Sequence, residues 1–331
     1  MIHADARRDA AERWLAALPL IAEAPSPRFS LESASEDASF RRYWRARGED
    51  GRTWIVMDAP PDKEDCRPFV HVAGLLRAAG VHAPQVFAQD LASGFLLLAD
   101  LGTTTYLQAI NAQNASRLFG DATDSLIRWQ LATRAGELPA YDEALLRREM
   151  NLFPEWYVAR HLKKDLSGTQ KEALEGIFQM LVKSALAQPA VYVHRDYMPR
   201  NLMVCEPNPG VLDFQDAVLG PICYDVVSLF RDAFISWEEA QVLDWTVRYW
   251  EKAKKARLPV HADFAEFWQA FEWMGLQRHL KVLGIFARIN YRDGKPKYLA
   301  DTPRFLGYAR AVATRYRALA PLVRLLDELK S

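Results

Sequence analysis

The stretch VYVHRDYMPRNLMV, residues 191–204, places a turn rich in ionisable side chains between two short apolar runs. Asp196 and Asn201 lie five residues apart within it. Downstream, the apolar run GVL leads towards Asp213, and Asp216 follows shortly after. Short β-branched and apolar runs bounded by polar residues are typical of strands. Two strands of the chain therefore each end in carboxylate or amide oxygens, which a plain turn does not require.

These oxygen-bearing side chains suit a magnesium site used in phosphoryl transfer. Mg²⁺ takes oxygen ligands and keeps several waters and substrate phosphates, and phosphoryl transfer also needs a base that orients the attacking hydroxyl. His-Arg-Asp, four residues, Asn, and then a separate strand ending in Asp-Phe is the order of the catalytic and magnesium loops of kinases. The chain carries His194-Arg195-Asp196, Asn201 and Asp213-Phe214 in that order. The alternative, two polar turns capped by Asp and Asn, would seldom reproduce both halves in sequence.

The length and charge of the chain argue against several classes of protein. Its 331 residues fit two lobes better than one small domain. Forty-two Lys and Arg residues balance 42 Asp and Glu residues, so nucleic acid is disfavoured as the main partner. The N-terminal residues do not form a signal peptide's apolar core, and no apolar run is long enough to cross a membrane. We therefore expect a cytoplasmic monomer that binds a small molecule, with Cys66, Cys205 and Cys223 reduced.

The first hundred residues predict a small unit of strands and helices. An amphipathic helix opens the chain, and strand, strand, helix, strand and strand follow it. The predicted positions after the first helix are residues 39–46, 53–61, 66–80 and a hairpin at 85–102 whose second strand is 95–98. Gly102 and the threonines after it predict a linker. We therefore assign residues 1–102 to a nucleotide-binding lobe and residues 103–331 to a catalytic and substrate-binding lobe.

The second lobe is predicted to be mainly helical, which makes the whole chain an α+β, two-lobed fold. Apolar residues recur at helical spacing over 115–134, 143–162 and 169–188. Helices resume at residue 224 and continue to the end of the chain. The last of them is predicted to begin with Asp301 or Thr302 as its N-cap.

The pieces HRDYMPRNLMV and LDFQDAVLGPICYDVVSLFRDA together resemble the aminoglycoside phosphotransferase family. Members of that family have a protein-kinase-like fold with a small β-rich lobe and a larger helical lobe. Segments at 37–45, 152–162, 276–289 and 291–306 also resemble its subgroup of amino sugar kinases. The resemblance implies an enzyme that uses ATP and Mg²⁺ to phosphorylate the anomeric hydroxyl of N-acetylmuramate or N-acetylglucosamine in peptidoglycan recycling.

The resemblance also implies a role for each motif residue. Asp196 matches the catalytic base that accepts the proton of the acceptor hydroxyl, and Asn201 and Asp213 match the Mg²⁺ ligands. Asp225 matches the aspartate that holds the catalytic-loop backbone through amide hydrogen bonds, and His194 matches a structural brace. The chain has no A-P-E segment after Asp-Phe, which disfavours a protein as acceptor.

The predicted nucleotide site departs from the family pattern at one position. The third strand of the family carries a lysine that grips the phosphates, but Met57 and Asp58 occupy that place. Arg41 and Arg42 are the alternatives for the missing cation, with Lys63 as a weaker third. The backbone of residues 35–40 is expected to cradle phosphates. The predicted nucleotide-binding residues are Ser39, Phe40, Arg41, Arg42 and Asp100.

The acceptor site is predicted from two helices and a turn. One helix carries a carboxylate and aromatic side chains that suit a sugar ring. The other helix carries a basic cluster, which includes His279, in an apolar setting where unpaired charge is costly. A basic cluster suits an anionic acceptor better than a polycationic aminoglycoside. The predicted substrate-binding residues are Glu149, Trp156, Asp216, Arg278 and Lys281, with Phe153 and Tyr157 beside Trp156. The alternatives are core packing for the aromatic residues, a solvated face for the basic ones and a turn cap for Asp216.

Two other functions remain open on the sequence alone. The catalytic loop also fits a kinase for another small alcohol, such as choline, homoserine or an aminoglycoside. The missing third-strand lysine fits a non-catalytic pseudokinase that binds nucleotide or a partner. The complete set of Asp196, Asn201 and Asp213 favours catalysis.

Overall fold

A computed structural model of the chain describes residues 5–22, 28–36 and 40–329. The backbone forms two compact units, neither of which is contiguous in sequence. The sheet unit comprises Met1–Ala109 and Asn201–Asp216, and the helical unit comprises Ile110–Arg200 and Ala217–Ser331. This grouping differs from a single boundary at residue 102, which places residues 201–216 in the second lobe.

The secondary structure follows the chain from an N-terminal helix to a C-terminal helix. The strands are β1 (Phe29–Glu36), β2 (Arg42–Gly48), β3 (Thr53–Asp58), β4 (Val86–Asp90), β5 (Phe95–Ala99), β6 (Ala190–Val193), β7 (Leu202–Met203), β8 (Gly210–Val211) and β9 (Val218–Pro221). The α-helices are α1 (Ala6–Ala17), α2 (Pro19–Ala22), α3 (Arg67–Ala78), α4 (Tyr106–Ala109), α5 (Ala115–Leu131), α6 (Glu143–Met150), α7 (Gly168–Ala187), α8 (Tyr224–Phe230), α9 (Glu239–Lys255), α10 (Phe264–Asp293), α11 (Thr302–Arg315) and α12 (Ala320–Glu328). A π-helix spans Phe153–His161, and 3₁₀ turns lie at Pro199–Asn201, Pro296–Asp301 and Arg317–Leu319.

An antiparallel five-stranded sheet in the order β1-β2-β3-β5-β4 is the frame of the sheet unit. The predicted helices α1 and α3 and the four strands β2 to β5 are confirmed. Gly51 takes a left-handed φ of +82° in the turn between β2 and β3, a conformation that glycine adopts without a steric penalty. Strand β1 was not predicted, because its sequence FSLESASE is rich in small and polar residues. It lies at an edge of the sheet, where a continuous apolar run is not needed.

Helix α1 packs on the apolar face of this sheet. Ala11 and Leu15 of the helix share one buried cluster with Trp44, Trp54 and Val56 of the strands. Alternate residues of a strand point to opposite faces. Positions 42 and 44 of β2 therefore lie on the face that α1 covers, whereas position 43 lies on the opposite face of the sheet.

Helix α10 is the central element of the helical unit and packs against the π-helix and against α7, α8 and α11. Gly284 allows this close approach, because a Cβ built there would lie 2.3 Å from the carbonyl carbon of Leu152. The predicted helix 143–162 is interrupted near this contact: α6 ends at Met150, and the π-helix begins at Phe153. Pro154 lacks the backbone N–H that a continuous α-helix would use there.

Short strand pairs place the motif residues in each unit. In the helical unit β6 pairs with β9 and leads directly into His194. In the sheet unit β7 pairs with β8, so that Leu202 lies opposite Val211. Asn201 immediately precedes β7, and Asp213 follows β8 by two residues.

The C-terminal helices correct one prediction. Helix α11 begins at Thr302 with Asp301 in the N-cap position, as predicted. It is not the last helix, because Tyr316 adopts an extended conformation (φ −110°, ψ +118°) and α12 follows. Among the described residues, none of the helices has the length and apolar character needed to cross a membrane.

Candidate active site

One buried carboxylate holds the loop that follows β6 in the helical unit. Asp225, the second residue of α8, accepts hydrogen bonds from the backbone N–H groups of His194 (2.7 Å) and Arg195 (3.0 Å). Burial raises the pKa of Asp225 to about 7, and the two N–H donors and the nearby charge of Arg278 oppose that rise. The loop backbone directly before Asp196 is therefore anchored to α8.

The backbone that carries Asp196 has an uncommon conformation. Arg195 has a φ of +74°, a left-handed conformation that few non-glycine residues adopt and that tends to occur at functional sites. The Asp196 N–H donates to Nδ1 of His194 at 3.2 Å. The buried His194 ring in turn packs edge-on against Tyr197. The half-buried Asp196 side chain thus extends from a loop whose backbone is held by several contacts.

Asn201 and Asp213 lie side by side in the sheet unit. Asn201 Nδ2 donates to Asp213 Oδ2 at 3.3 Å, and Gln215 Nε2 donates to Asp213 Oδ1 at 2.9 Å. The strand pairing continues to this point, because the Leu212 N–H donates to the Asn201 carbonyl at 2.9 Å. Asp213 has a left-handed φ of +62°, which turns the chain just after β8.

This pair fits a magnesium ion by its ligand chemistry. Asn201 and Asp213 would supply an amide oxygen and a carboxylate oxygen, which are ligand types that Mg²⁺ takes, and their side chains lie within hydrogen-bonding distance of each other. A half-turn of the Asn201 amide presents its oxygen in place of its nitrogen. Within the described ranges no group of three or more His, Cys, Asp or Glu side chains could hold a metal. Two protein oxygens would leave the other positions of a magnesium ion to phosphate and water, which Mg²⁺ usually keeps as ligands.

The guanidinium of Arg41 lies near several carboxylates of the sheet unit, including Asp213. Arg41, immediately before β2, forms a 3.0 Å ion pair with Glu64. Burial lowers the pKa of the Arg41 guanidinium, but nearby groups outweigh burial and leave that pKa raised. The acidic side chains among those groups are Tyr43, Glu64, Asp213 and Asp216. The Arg41–Glu64 ion pair has the chemistry of the Lys–Glu ion pair that protein kinases keep near the nucleotide phosphates.

The second candidate cation, Arg42, is bound to carboxylates of its own. Asp58 is fully buried and accepts hydrogen bonds from Arg7 (2.8 Å) and from Arg42 (2.8 Å). Arg42 also pairs with Asp5. Met57 beside Asp58 is buried as well. The geometry therefore favours Arg41 over Arg42 as the replacement for the family lysine.

The other predicted nucleotide-binding residues are spread over the sheet unit. Asp100 accepts two hydrogen bonds from Arg45, at 2.6 and 3.0 Å. Phe40 is 63% exposed, and the Lys63 ammonium lies 5.9 Å from its ring centroid. Ser39 lies outside the described residues. The assignment of these residues to a nucleotide stays a prediction.

The residues predicted to contact the acceptor differ in their access to solvent. Trp156 is half-buried on the π-helix, and Asp216 is exposed. Glu149 and Lys281 form a 3.0 Å ion pair with each other, so their charged atoms are engaged inside the protein. The buried residues of the predicted set and its neighbours are Glu149, Phe153, Tyr157, Arg278, His279 and Lys281.

Three residues near these groups were not predicted from the sequence. The Tyr141 hydroxyl and Gln277 Nε2 donate hydrogen bonds to Glu149, and Glu64 pairs with Arg41. Gln277 lies four residues before Lys281 on α10, so its position on the same helix face was a usable signal. Tyr141 and Glu64 lie in irregular segments, where no periodicity indicates which way a side chain points.

The fold and the catalytic loop define a phosphotransferase of the kinase-like class. The model of the phosphotransferase enzyme family, APH, matches residues 30–267, and the chain belongs to that family. This confirms the predicted family and fold class.

Relatives and a solved structure extend the likeness over most of the chain. The chain is 57% identical over 303 residues to the N-acetylmuramate/N-acetylglucosamine kinase of Pseudomonas aeruginosa, which covers 92% of this chain and 89% of that protein. It is 56% identical over 305 residues to the kinase of the same name from Pseudomonas putida, which covers 92% and 90%. The crystal structure of choline kinase from Cryptosporidium parvum matches with a TM-score of 0.64 at 10% identity, covering 96% of this chain and 99% of that one. The last likeness shows a shared fold alone.

Proposed function

We propose that the chain is a kinase that uses ATP and Mg²⁺ to phosphorylate the anomeric hydroxyl of N-acetylmuramate or N-acetylglucosamine. The observation that carries the proposal is the identity of 56–57% over 92% of the chain to relatives named as kinases of these two sugars. The anchored loop before Asp196 supports it with a suitably held base. We place the reaction in the cytoplasm, in the re-use of peptidoglycan sugars.

Asp196 is the proposed general base. Its carboxylate accepts a hydrogen bond from the acceptor hydroxyl, aligns that oxygen with the γ-phosphorus and takes the proton as the new P–O bond forms. Asp225 fixes the backbone of the two preceding residues, so the carboxylate needs little reorganisation during the reaction. Asn201 and Asp213 would hold a magnesium ion, whose charge offsets the negative charge of the phosphates when it is bound.

Product analysis tests this proposal directly. The purified protein is incubated with Mg²⁺-ATP and, separately, with N-acetylmuramate, N-acetylglucosamine, choline, homoserine or kanamycin, and phosphorus NMR identifies any new phosphoester. A sugar 1-phosphate from either N-acetyl sugar is the expected product. A phosphoester formed only from one of the other acceptors would retain the kinase and reject the sugar. ATP binding without any product would favour the pseudokinase.

Arg41 is the proposed cation that grips the nucleotide phosphates, and Arg42 provides the comparison. We expect Arg41→Gln to raise the KM for ATP by roughly tenfold or more, because a charge-assisted phosphate contact contributes about 1.5–3 kcal/mol. Arg42→Gln removes the same charge one residue away but leaves Asp58 buried with fewer partners. Arg42→Gln should therefore lower the Tm and leave the KM for ATP nearly unchanged. Steady-state kinetics and thermal unfolding of both variants decide between the two arginines, and the reverse pattern would make Arg42 the phosphate ligand.

A further inference from the structure

A buried charge network lies beside the catalytic loop of the helical unit, with one carboxylate at its centre. Glu149 Oε1 accepts a hydrogen bond from Arg195 Nη2 at 2.6 Å and pairs with Lys281 Nζ at 3.0 Å. The second oxygen, Oε2, accepts hydrogen bonds from the Tyr141 hydroxyl and from Gln277 Nε2, the latter at 3.4 Å. A single carboxylate therefore joins α6, α10, the segment before α6 and the loop after β6.

Burial makes this network sensitive to the loss of any charge. Glu149 is 5% exposed and Lys281 is 7% exposed. Burial alone would raise the pKa of Glu149, but the charges of Lys281 and Arg195 lower it to about 2. The carboxylate is therefore ionised at neutral pH and separates two cations. Without its charge these cations would repel each other in a region with little water, and unpaired buried charge is strongly unfavourable.

Lys281 also contacts the residue that precedes Asp225, the carboxylate that holds the loop backbone. Its Nζ donates to the Tyr224 hydroxyl at 2.9 Å, and Tyr224 directly precedes Asp225 in α8. Arg195 is thus held twice, through its backbone N–H by Asp225 and through its guanidinium by Glu149. Lys281 bonds to Glu149 and to the residue next to Asp225, so it links both supports.

We propose that Glu149 and Lys281 are positioning residues: Glu149 holds the Arg195 guanidinium and Lys281 holds Glu149, so that the left-handed backbone of Arg195 presents Asp196 to the acceptor. The inference rests on the proposed kinase function. A left-handed arginine persists only where its surroundings determine it from several directions, and here one of those directions is the guanidinium. A misplacement of a catalytic group by about 1 Å costs roughly 10²-fold in rate. The sequence predicted that Glu149 and Lys281 contact the acceptor directly. Such contacts would need the carboxylate oxygens and the ammonium group that already bind each other, Arg195 and Tyr224.

Glu272 on α10, the helix that carries Lys281, offers a matched control for Glu149. It is fully buried and binds two arginines and a tyrosine hydroxyl: Arg231 (3.1 Å), Arg315 and Tyr316 (2.7 Å). Both glutamates are therefore buried, paired with two cations and bonded to a tyrosine. The partners of Glu272 lie outside residues 190–201, so its loss removes no direct contact to the loop.

The test compares Glu149→Gln with Glu272→Gln by kinetics and by hydrogen exchange of the peptide that contains residues 191–198. For Glu149→Gln we expect kcat to fall by roughly 10²-fold, with the KM values for ATP and sugar nearly unchanged. The amides of His194 and Arg195, which Asp225 protects, should exchange faster.

For Glu272→Gln we expect kcat and the exchange of this peptide to match the unmodified protein, even if both variants lose similar stability. Equal losses of kcat in the two variants, or a Glu149→Gln protein with normal kcat and normal exchange, would overturn the proposal.

Lys281→Met provides a second variant in case Glu149→Gln does not fold. Methionine keeps an unbranched side chain of similar length and removes the charge and the bond to Tyr224. A lower kcat with unchanged KM values and faster hydrogen exchange at residues 194–195 supports the positioning role. A normal kcat, normal KM values and normal exchange at these residues contradict it. The exchange comparison does not need a substrate. If the unmodified protein phosphorylates neither sugar, the proposed function fails, while the exchange data still decide whether Glu149 and Lys281 hold the loop.

Discussion

Asp196→Asn is expected to lower kcat by roughly 10²–10⁴-fold, the range for loss of a positioned general base. Asparagine has nearly the same shape as aspartate, and its backbone N–H can still donate to His194 as in the unmodified protein. The substitution therefore removes the proton acceptor and leaves the loop in place. The KM values for ATP and sugar should change little, because the lost interaction develops in the transition state.

The control for this experiment is Asp124→Asn. Asp124 is also an aspartate of the helical unit, but its side chain is 52% exposed and pairs with Lys252, and exposed ion pairs contribute little to stability. Its substitution should leave both kcat and Tm essentially unchanged. An Asp196→Asn protein with a kcat close to that of the unmodified protein would exclude Asp196 as the base, and the search would turn to another carboxylate.

The strands around the proposed catalytic residues could be predicted because the patterns that mark short strands are local. Asp196 and Asn201 lie in the segment between β6 and β7, and Asp213 follows the strand pair that begins at Leu202. The strand pair β7–β8 therefore brings Asn201 and Asp213 together within the sheet unit. Asp225 could be placed by resemblance, and it accepts the two amide hydrogen bonds expected of such an aspartate.

The buried network could not be predicted in the same way, because its contacts join distant parts of the chain. Glu149 and Lys281 are 132 residues apart in sequence, and their 3.0 Å ion pair depends on how α6 and α10 pack. The sequence indicated that charges in an apolar helix need partners. It did not indicate whether those partners would be a ligand or another side chain.

The choice between Arg41 and Arg42 shows a second limit of sequence reasoning. Adjacent residues of an extended segment point to opposite sides, so one of the two faces the carboxylate of Asp58 and the other does not. Which of them does so depends on the register of β2 against β3, where Arg42 lies opposite Asp58. A shift of one residue would exchange their roles, and the sequence does not specify that register.

The second large effect is expected for Asp213→Asn. The substitution removes one negative charge from the proposed magnesium site, and we expect kcat to fall by roughly 10²–10³-fold, the range for losing one electrostatic contact to the reacting centre. The Mg²⁺ concentration that gives half-maximal activity should rise, because a neutral amide binds Mg²⁺ more weakly than a carboxylate does. Asparagine tolerates the left-handed φ of +62° at this position, so the loss should not arise from a distorted backbone. Rates measured over a Mg²⁺ titration separate a weaker metal site from a slower step at saturating metal.

Asp62→Asn is the matched control for the metal prediction. Asp62 also belongs to the sheet unit, and its side chain is 71% exposed beside Lys63. This variant carries the same change in net charge, so it accounts for any general effect of charge on Mg²⁺-ATP binding. It should show the Mg²⁺ dependence of the unmodified protein. If Asp213→Asn shows that dependence too, Asp213 does not bind the ion. Its hydrogen bonds with Asn201 and Gln215 would then serve to stabilise the turn after β8, and the phosphates would have to be neutralised by cations such as Arg41 and by an ion held elsewhere.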